Sequence, residues 1–298
     1  KHDETTDESK EVSTATDGAR IVGTFEAYAD FYRDSNAAPY EDVAQLIRQH
    51  CQKTKMPREA AHILDIGCGA AFTIDLLADK FEHISLVEPN PCFRSRWFAK
   101  PWMTSNDGSK HIVHIYPLTV EEMIKKNCIQ PNSVDVAVLY HSVYHFEIAT
   151  LKQTLNTIVG SLKAKGICVI SVFDDDHKFA KRYLKLSPQY RLSASVAEAL
   201  SEMDGVEVKK EYEVDEYCMN SADYLKFLEW LFIQDCMNHN YFPNGITEKQ
   251  LSEVRQECKQ YLETECVKKE QVDASGNKQV VYTDPESHSS LHFVVTKK

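Results

Sequence analysis

Apolar and polar positions follow two rhythms along this chain, and between about residues 45 and 215 the rhythms take turns. Runs rich in β-branched residues, "HILDIG", "HISLVEP", "HIVHIYP", "SVDVAVLYH", "ICVISVFD" and "VEVKKEYEV", predict six strands. Between them "FTIDLLADKF", "TVEEMIKKN", "EIATLKQTLNTIVGSLK" and "SASVAEALSEM" carry apolar residues at helical spacing, and "YEDVAQLIRQHCQK" precedes them with the same pattern. Such alternation predicts an α/β fold of βαβ units around a parallel sheet. The long helix is expected to stop at "AKG", with Gly166 just past its C-terminus, where φ is often positive. "SLHFVVTKK" predicts a final strand.

About seventy residues, Glu216 to His288, fit no βαβ unit and predict an insertion. "NSADYLKFLEWLFIQDCMNHNYF" reads as an aromatic helix, "EKQLSEVRQECKQYLETECVKK" as a charged helix with an apolar stripe, and "DASGNK" as an exposed turn. The expected division is a tail over 1–20, an N-terminal helical cap over 21–60, a core domain over 61–215 and 287–298, and a helical insertion over 216–286. If the sixth strand runs parallel to the others, the insertion follows a carboxyl end, on the side where open α/β sheets bind ligands, and roofs the site. The alternative is a subdomain that only stabilises.

Composition changes this picture at the edges. The opening "KHDETTDESKEVSTATDGAR" has almost nothing to bury and predicts disorder. No apolar run approaches the roughly 20 residues that cross a bilayer, so no membrane association is expected. Nine cysteines, an odd number without CxxC spacing, suggest reduced buried thiols and a cytoplasmic protein. With 34 Lys and Arg against 45 Asp and Glu, the net charge of −11 would repel a nucleic-acid backbone. Monomer and homodimer are both compatible with the sequence. "DDDHK", Asp174 to Lys178, clusters carboxylates and a histidine, but consecutive carboxylates after a strand point apart, so a solvated loop and no metal are expected.

Chemistry concentrates where the first strand meets Gly67-Cys68-Gly69. Glycines there allow a tight turn and close approach of a ligand to the backbone. Phe72 stands where a dinucleotide site has its third glycine, and GK[ST] is missing, so neither pyrophosphate packing nor a phosphate-cradling loop is signalled. Glu88 closes the second strand nineteen residues past Gly69, where a carboxylate can accept from both ribose hydroxyls of a nucleoside.

"LDIGCGAAFTIDLL" with Asp65 before the turn, "LVEPN", "DVAVLYHSVYHF" and "LKAKGICVISV" together resemble the class I S-adenosylmethionine-dependent methyltransferases, over about residues 60 to 215 and the final strand. The resemblance implies a Rossmann-like seven-stranded sheet whose last strand lies antiparallel beside the sixth, with S-adenosylmethionine as cofactor and S-adenosylhomocysteine as product. Over residues 20 to 298 the order of "TFEAYADFYRD", "VEPN", "LYHSVYHFEIATLKQTLNTIVGSLK", a long insertion and "SLHFVV" resembles the histamine N-methyltransferase family.

That resemblance implies cofactor contacts at Asp65, Gly67, Gly69, Glu88, Pro89, Leu118 or Thr119, and Tyr140, and an N-terminal lid helix. His141 replaces a glutamine of the family's pocket and Ser289 an asparagine, while the family's amine-recognising acid falls near Asn36 or Ala37. The implied acceptor is therefore a nitrogen of a small molecule, an amine or a heteroaromatic ring, other than histamine. No Asn-Pro-Pro-Tyr motif follows the fourth strand, which agrees with a small acceptor. His141, whose unperturbed pKa lies near 6.5, and Tyr144 are the catalytic candidates. Tyr28, Tyr32, Phe179, Tyr183, Phe227 and Trp230 are aromatic candidates for the substrate pocket, each with core packing as its alternative reading. An O- or S-methyltransferase with His141 as base, or a binding protein without catalysis, are the competing functions.

Overall fold

The computed structural model describes residues 37–104, 111–175, 193–213, 219–220, 247–264, 266–272, 276, 278–283 and 290–298. Its strands are β1 (His62–Ile66), β2 (His83–Val87), β3 (Ile112–Tyr116), β4 (Val134–Tyr140), β5 (Leu162–Phe173), β6 (Val206–Glu213), β7 (Met219–Asn220), β8 (Val267–Val272), β9 (Lys278–Thr283) and β10 (Ser290–Lys297). Among the described residues seven strands form one sheet in the order β3-β2-β1-β4-β5-β10-β6. The pairs β1–β2, β1–β4, β2–β3 and β4–β5 are parallel, while β10 is antiparallel to both β5 and β6. The expected Rossmann-like sheet with an antiparallel last strand is thus present.

Helices cover both faces, because central parallel strands expose apolar side chains on each. On one face Leu64, Leu139, Ile170 and Phe293 pack against Leu155 and Ile158 of the helix Leu151–Ser161, and against Val254, Cys258 and Tyr261 of the helix Glu248–Thr264. On the other, Ile63, Ile84, Val138 and Val169 meet Val43 and Ile47 of the helix Ala37–Thr54, and Ile74 and Leu77 of the helix Phe72–Leu77. Each such fully buried Leu or Ile contributes about 1.5–3 kcal/mol. No helix among the described residues is long and apolar enough to cross a membrane.

Gly166 does not cap the long helix. That helix ends at Ser161 and β5 begins at Leu162. The positive φ belongs to Lys165, at 66°, and Gly166 lies inside the strand. Between the pairs Val134↔Leu162 and Val136↔Ile167, β5 runs through more residues than β4, which makes a bulge. A Cβ on Gly166 would sit 2.9 Å from the Asp135 carbonyl and 3.0 Å from that of Lys163. The glycine serves close backbone approach rather than a left-handed cap.

The insertion also departs from an all-helical reading. The charged helix is present as Glu248–Thr264, but "VKKEQV" and "KQVVYT" form β8 and β9, antiparallel to each other, with β7 beside β9. Neither stretch alternates apolar and polar residues regularly: the β8 valines stand five apart and the β9 valines are adjacent. "DASGNK" falls at the connection between them, with Gly276 at φ 85°.

Candidate active site

Strand order reverses direction between β1 and β4, so a crevice opens at their carboxyl ends. The turn leaving β1 lies there. It carries positive φ at Gly67 (66°), Gly69 (52°) and Ala71 (59°), and it is tied to β2 by Gly67 N–H to Val87 O at 2.8 Å. Gly67 is obligatory on two counts, since a Cβ there would stand 2.4 Å from Ser142 Cβ just past β4.

Two carboxylates close around this turn. Glu88, 6% exposed, accepts from Gly69 N–H at 3.0 Å through Oε2 and from Asn90 N–H at 2.8 Å through Oε1. Burial raises its pKa, against the pull of those two amides and of Arg94, which donates to the Glu88 and Pro89 carbonyls. Asp65, at 1% exposure, is pushed up to about 8 by burial and then by the Glu88 charge, and its Oδ2 has no hydrogen-bond partner among the described residues. An orphaned, buried carboxylate oxygen is costly unless a ligand completes it.

The upward shift of Asp65 fixes a pH dependence. Stability that depends on the protonated acid is present in acid and is lost as pH rises through about 8, because the unfolded carboxyl releases its proton far lower. Asp65→Asn is therefore expected to stabilise the ligand-free protein by about 1–3 kcal/mol near pH 8, and by less near pH 5. Denaturant titration at both pH values measures this; a gain independent of pH contradicts it.

Aromatic rings line the next stretch of the crevice. Tyr140, at the end of β4, lies 4.5 Å from the Tyr40 ring and 4.6 Å, edge-on, from His141; Tyr40 meets Phe72 edge-on at 5.5 Å. His141 holds a left-handed φ of 49°, and its N–H donates to Ser171 O at 3.1 Å. Non-glycine residues keep such conformations where the surroundings enforce them. The imidazole packs 5.0 Å from Phe173, with Nδ1 3.0 Å from the Tyr144 hydroxyl, whose oxygen accepts Phe173 N–H at 2.5 Å. Although part of the ring remains accessible, close packing and then the charge of His292 lower its pKa to about 3. His292 is buried and pairs through Nδ1 with Ser171 Oγ at 2.8 Å.

Of the residues singled out in the sequence, Asp65, Gly67, Gly69, Glu88 and Pro89 surround the turn, and Tyr140, His141 and Tyr144 form the adjoining wall. Thr119 is spent elsewhere: it caps the helix Val120–Lys125, its hydroxyl accepting from Glu122 N–H while Glu122 accepts from Thr119 N–H. Leu118 packs at the edge of the core. Tyr28, Tyr32, Phe179, Tyr183, Phe227, Trp230 and Ser289 lie outside the described residues, as does Asn36. Asp174 and Asp175 both accept from Ser193 Oγ at the start of the helix Ser193–Ser201, and no metal-binding cluster occurs among the described residues.

Sequence reasoning missed Tyr40, Phe72, Phe173 and Ser142. Tyr40 sits on an otherwise ordinary amphipathic helix, and Phe72 was weighed only as an absent glycine. Ser142, 4% exposed and with no partner for its Oγ among the described residues, stands between two more conspicuous residues, His141 and Tyr144.

Residues 64–170 match the family model described as a methyltransferase domain. No curated protein matches the chain. Among solved structures, a putative methyltransferase from Bacillus halodurans C-125 is similar at 12% identity and a TM-score of 0.51, over 84% of this chain and 97% of that one. A putative sarcosine dimethylglycine methyltransferase from Galdieria sulphuraria is similar at 10% identity and a TM-score of 0.51, over 91% of this chain and 98% of that one. These likenesses show a shared fold. The matched methyltransferase domain runs from β1 into β5. The turn fits S-adenosylmethionine, because Asp65 Oδ2, without a partner among the described residues, suits a cation and Gly67 leaves no side chain in the turn.

Proposed function

We propose that the protein transfers a methyl group to a nitrogen of a small molecule, a neutral amine or a heteroaromatic ring. One observation carries this reading. His141, the candidate base, is packed against Phe173 and the Tyr144 hydroxyl, and burial lowers its pKa to about 3, which leaves it a weak base. A hydroxyl acceptor must surrender a proton on or before attack, whereas a neutral nitrogen already offers its lone pair. A wall of His141, Tyr144, Phe173 and Tyr140, uncharged at neutral pH, suits a flat or cationic-product ligand better than an anion. The resemblance to the histamine N-methyltransferase family points the same way, without implying histamine.

In this reading Gly67 and Gly69 give the ligand access to the backbone, and Asp65 faces the cationic methionyl end. Glu88 keeps lone pairs on both oxygens for the ribose hydroxyls after its two amide bonds. Pro89 and Leu118 border the nucleoside. Bound S-adenosylmethionine supplies a methyl group activated by positive sulfur. The chain's own contribution is to hold the acceptor lone pair on the methyl axis and to exclude water. His141 and Tyr144 orient the acceptor by hydrogen bonding.

The test is turnover of amines, imidazoles, phenols and thiols with methyl-labelled cofactor. Nitrogen acceptors are expected to react, and for one that does not itself titrate, kcat should stay level between about pH 5 and 7.5. Turnover confined to phenols, with kcat rising through a pKa near 6.5, would show His141 acting as a base and would overturn the nitrogen assignment.

A further inference from the structure

The glycine turn has a weakness: among the described residues a Cβ built on Gly69 meets nothing within 4 Å, so their packing alone does not fix the direction of its peptide groups. An unhindered glycine has the widest conformational choice of any residue, and a ligand that needs one conformation must select it. Here both polar groups of Gly69 are held. Its N–H donates to Glu88 Oε2 at 3.0 Å, and its carbonyl accepts from Trp97 Nε1–H at 2.9 Å.

Trp97 has no exposed surface, so its indole N–H needs a protein acceptor, and the acceptor provided is a carbonyl of the turn. The segment carrying it is itself anchored at both ends. Arg94 donates to the Glu88 and Pro89 carbonyls, while Lys100 and Trp102 both bind Asp75 on the helix that follows the turn, Trp102 Nε1 at 2.8 Å. The indole is thus placed rigidly against Gly69.

We infer that Trp97 is a positioning residue for cofactor binding, whose indole N–H holds Gly69 of the turn in its ligand-ready orientation. The inference rests on the assignment of this turn to S-adenosylmethionine. It assigns to the stretch after β2, "PCFRSRWFAKPW", a role in preorganising the site that is separate from the contacts of Glu88.

Trp97→Phe keeps a buried aromatic ring, deletes the N–H donor and removes part of the indole, a loss of volume that Trp102→Phe shares. Calorimetric titration with S-adenosylhomocysteine is expected to show a dissociation constant raised about three- to tenfold, the worth of one neutral hydrogen bond. Trp102→Phe deletes the same kind of bond outside the turn and should leave the constant within about twofold. An unchanged constant for Trp97→Phe, or an equal loss for Trp102→Phe, overturns the inference. Should Trp97→Phe fail to fold, the wild-type indole decides by nitrogen-15 NMR: its Nε1–H resonance should shift and exchange more slowly on saturation with S-adenosylhomocysteine, and a resonance that does neither overturns the role. A folded wild type that binds no S-adenosylhomocysteine instead refutes the cofactor assignment beneath it.

Discussion

Glu88→Ala is expected to weaken S-adenosylmethionine binding by roughly ten- to a hundredfold, the worth of hydrogen bonds to a charged acceptor. The carboxylate has two tasks, and alanine removes both. It holds Gly69 N–H at 3.0 Å and Asn90 N–H at 2.8 Å, and it presents its remaining lone pairs at the end of β2. Stability should change little in comparison, because the substitution also relieves Asp65 of a neighbouring charge in a buried setting. Calorimetry with Glu88→Ala and Glu88→Gln separates the tasks: glutamine can still accept the Gly69 bond but carries no charge. Binding by the alanine variant as tight as the wild type would contradict the assignment of Glu88.

Gly67→Ala is expected to cost about 2–6 kcal/mol of stability, summing a left-handed φ of 66° and a forced contact with Ser142 Cβ at 2.4 Å. Gly69→Ala, with no described residue within 4 Å of the added methyl and a φ of 52°, should cost only about 1–2 kcal/mol. Thermal unfolding of the two variants side by side measures the difference. Equal costs would mean that Ser142 yields and that close packing of β4 on the turn does not define the site.

The core of the molecule was legible because its signals are local. Apolar runs at the central strands, a glycine turn after β1 and an acid closing β2 each follow from residues close in sequence, and the parallel order follows from their alternation with helices. Positions set by distant packing were not legible. Gly166 is a glycine because of the Asp135 carbonyl, thirty-one residues away, and no local rule separates that use from a helix cap. The β8–β9 hairpin was hidden because its strands carry no regular apolar alternation and lie in a stretch read as a helical insertion. His141 was found by position, but its loss of basicity depends on Phe173 and His292, which only the folded sheet brings beside it. Trp97 gave no signal at all, since its partner is a backbone carbonyl.

Calorimetric titration of the full chain with S-adenosylmethionine and S-adenosylhomocysteine addresses the central claim most directly. The account predicts saturable binding of one cofactor per chain, strengthened as pH rises through the range where Asp65 ionises, about 8, because the cationic end of the ligand favours the carboxylate. Folded protein that binds neither compound at any pH would contradict it.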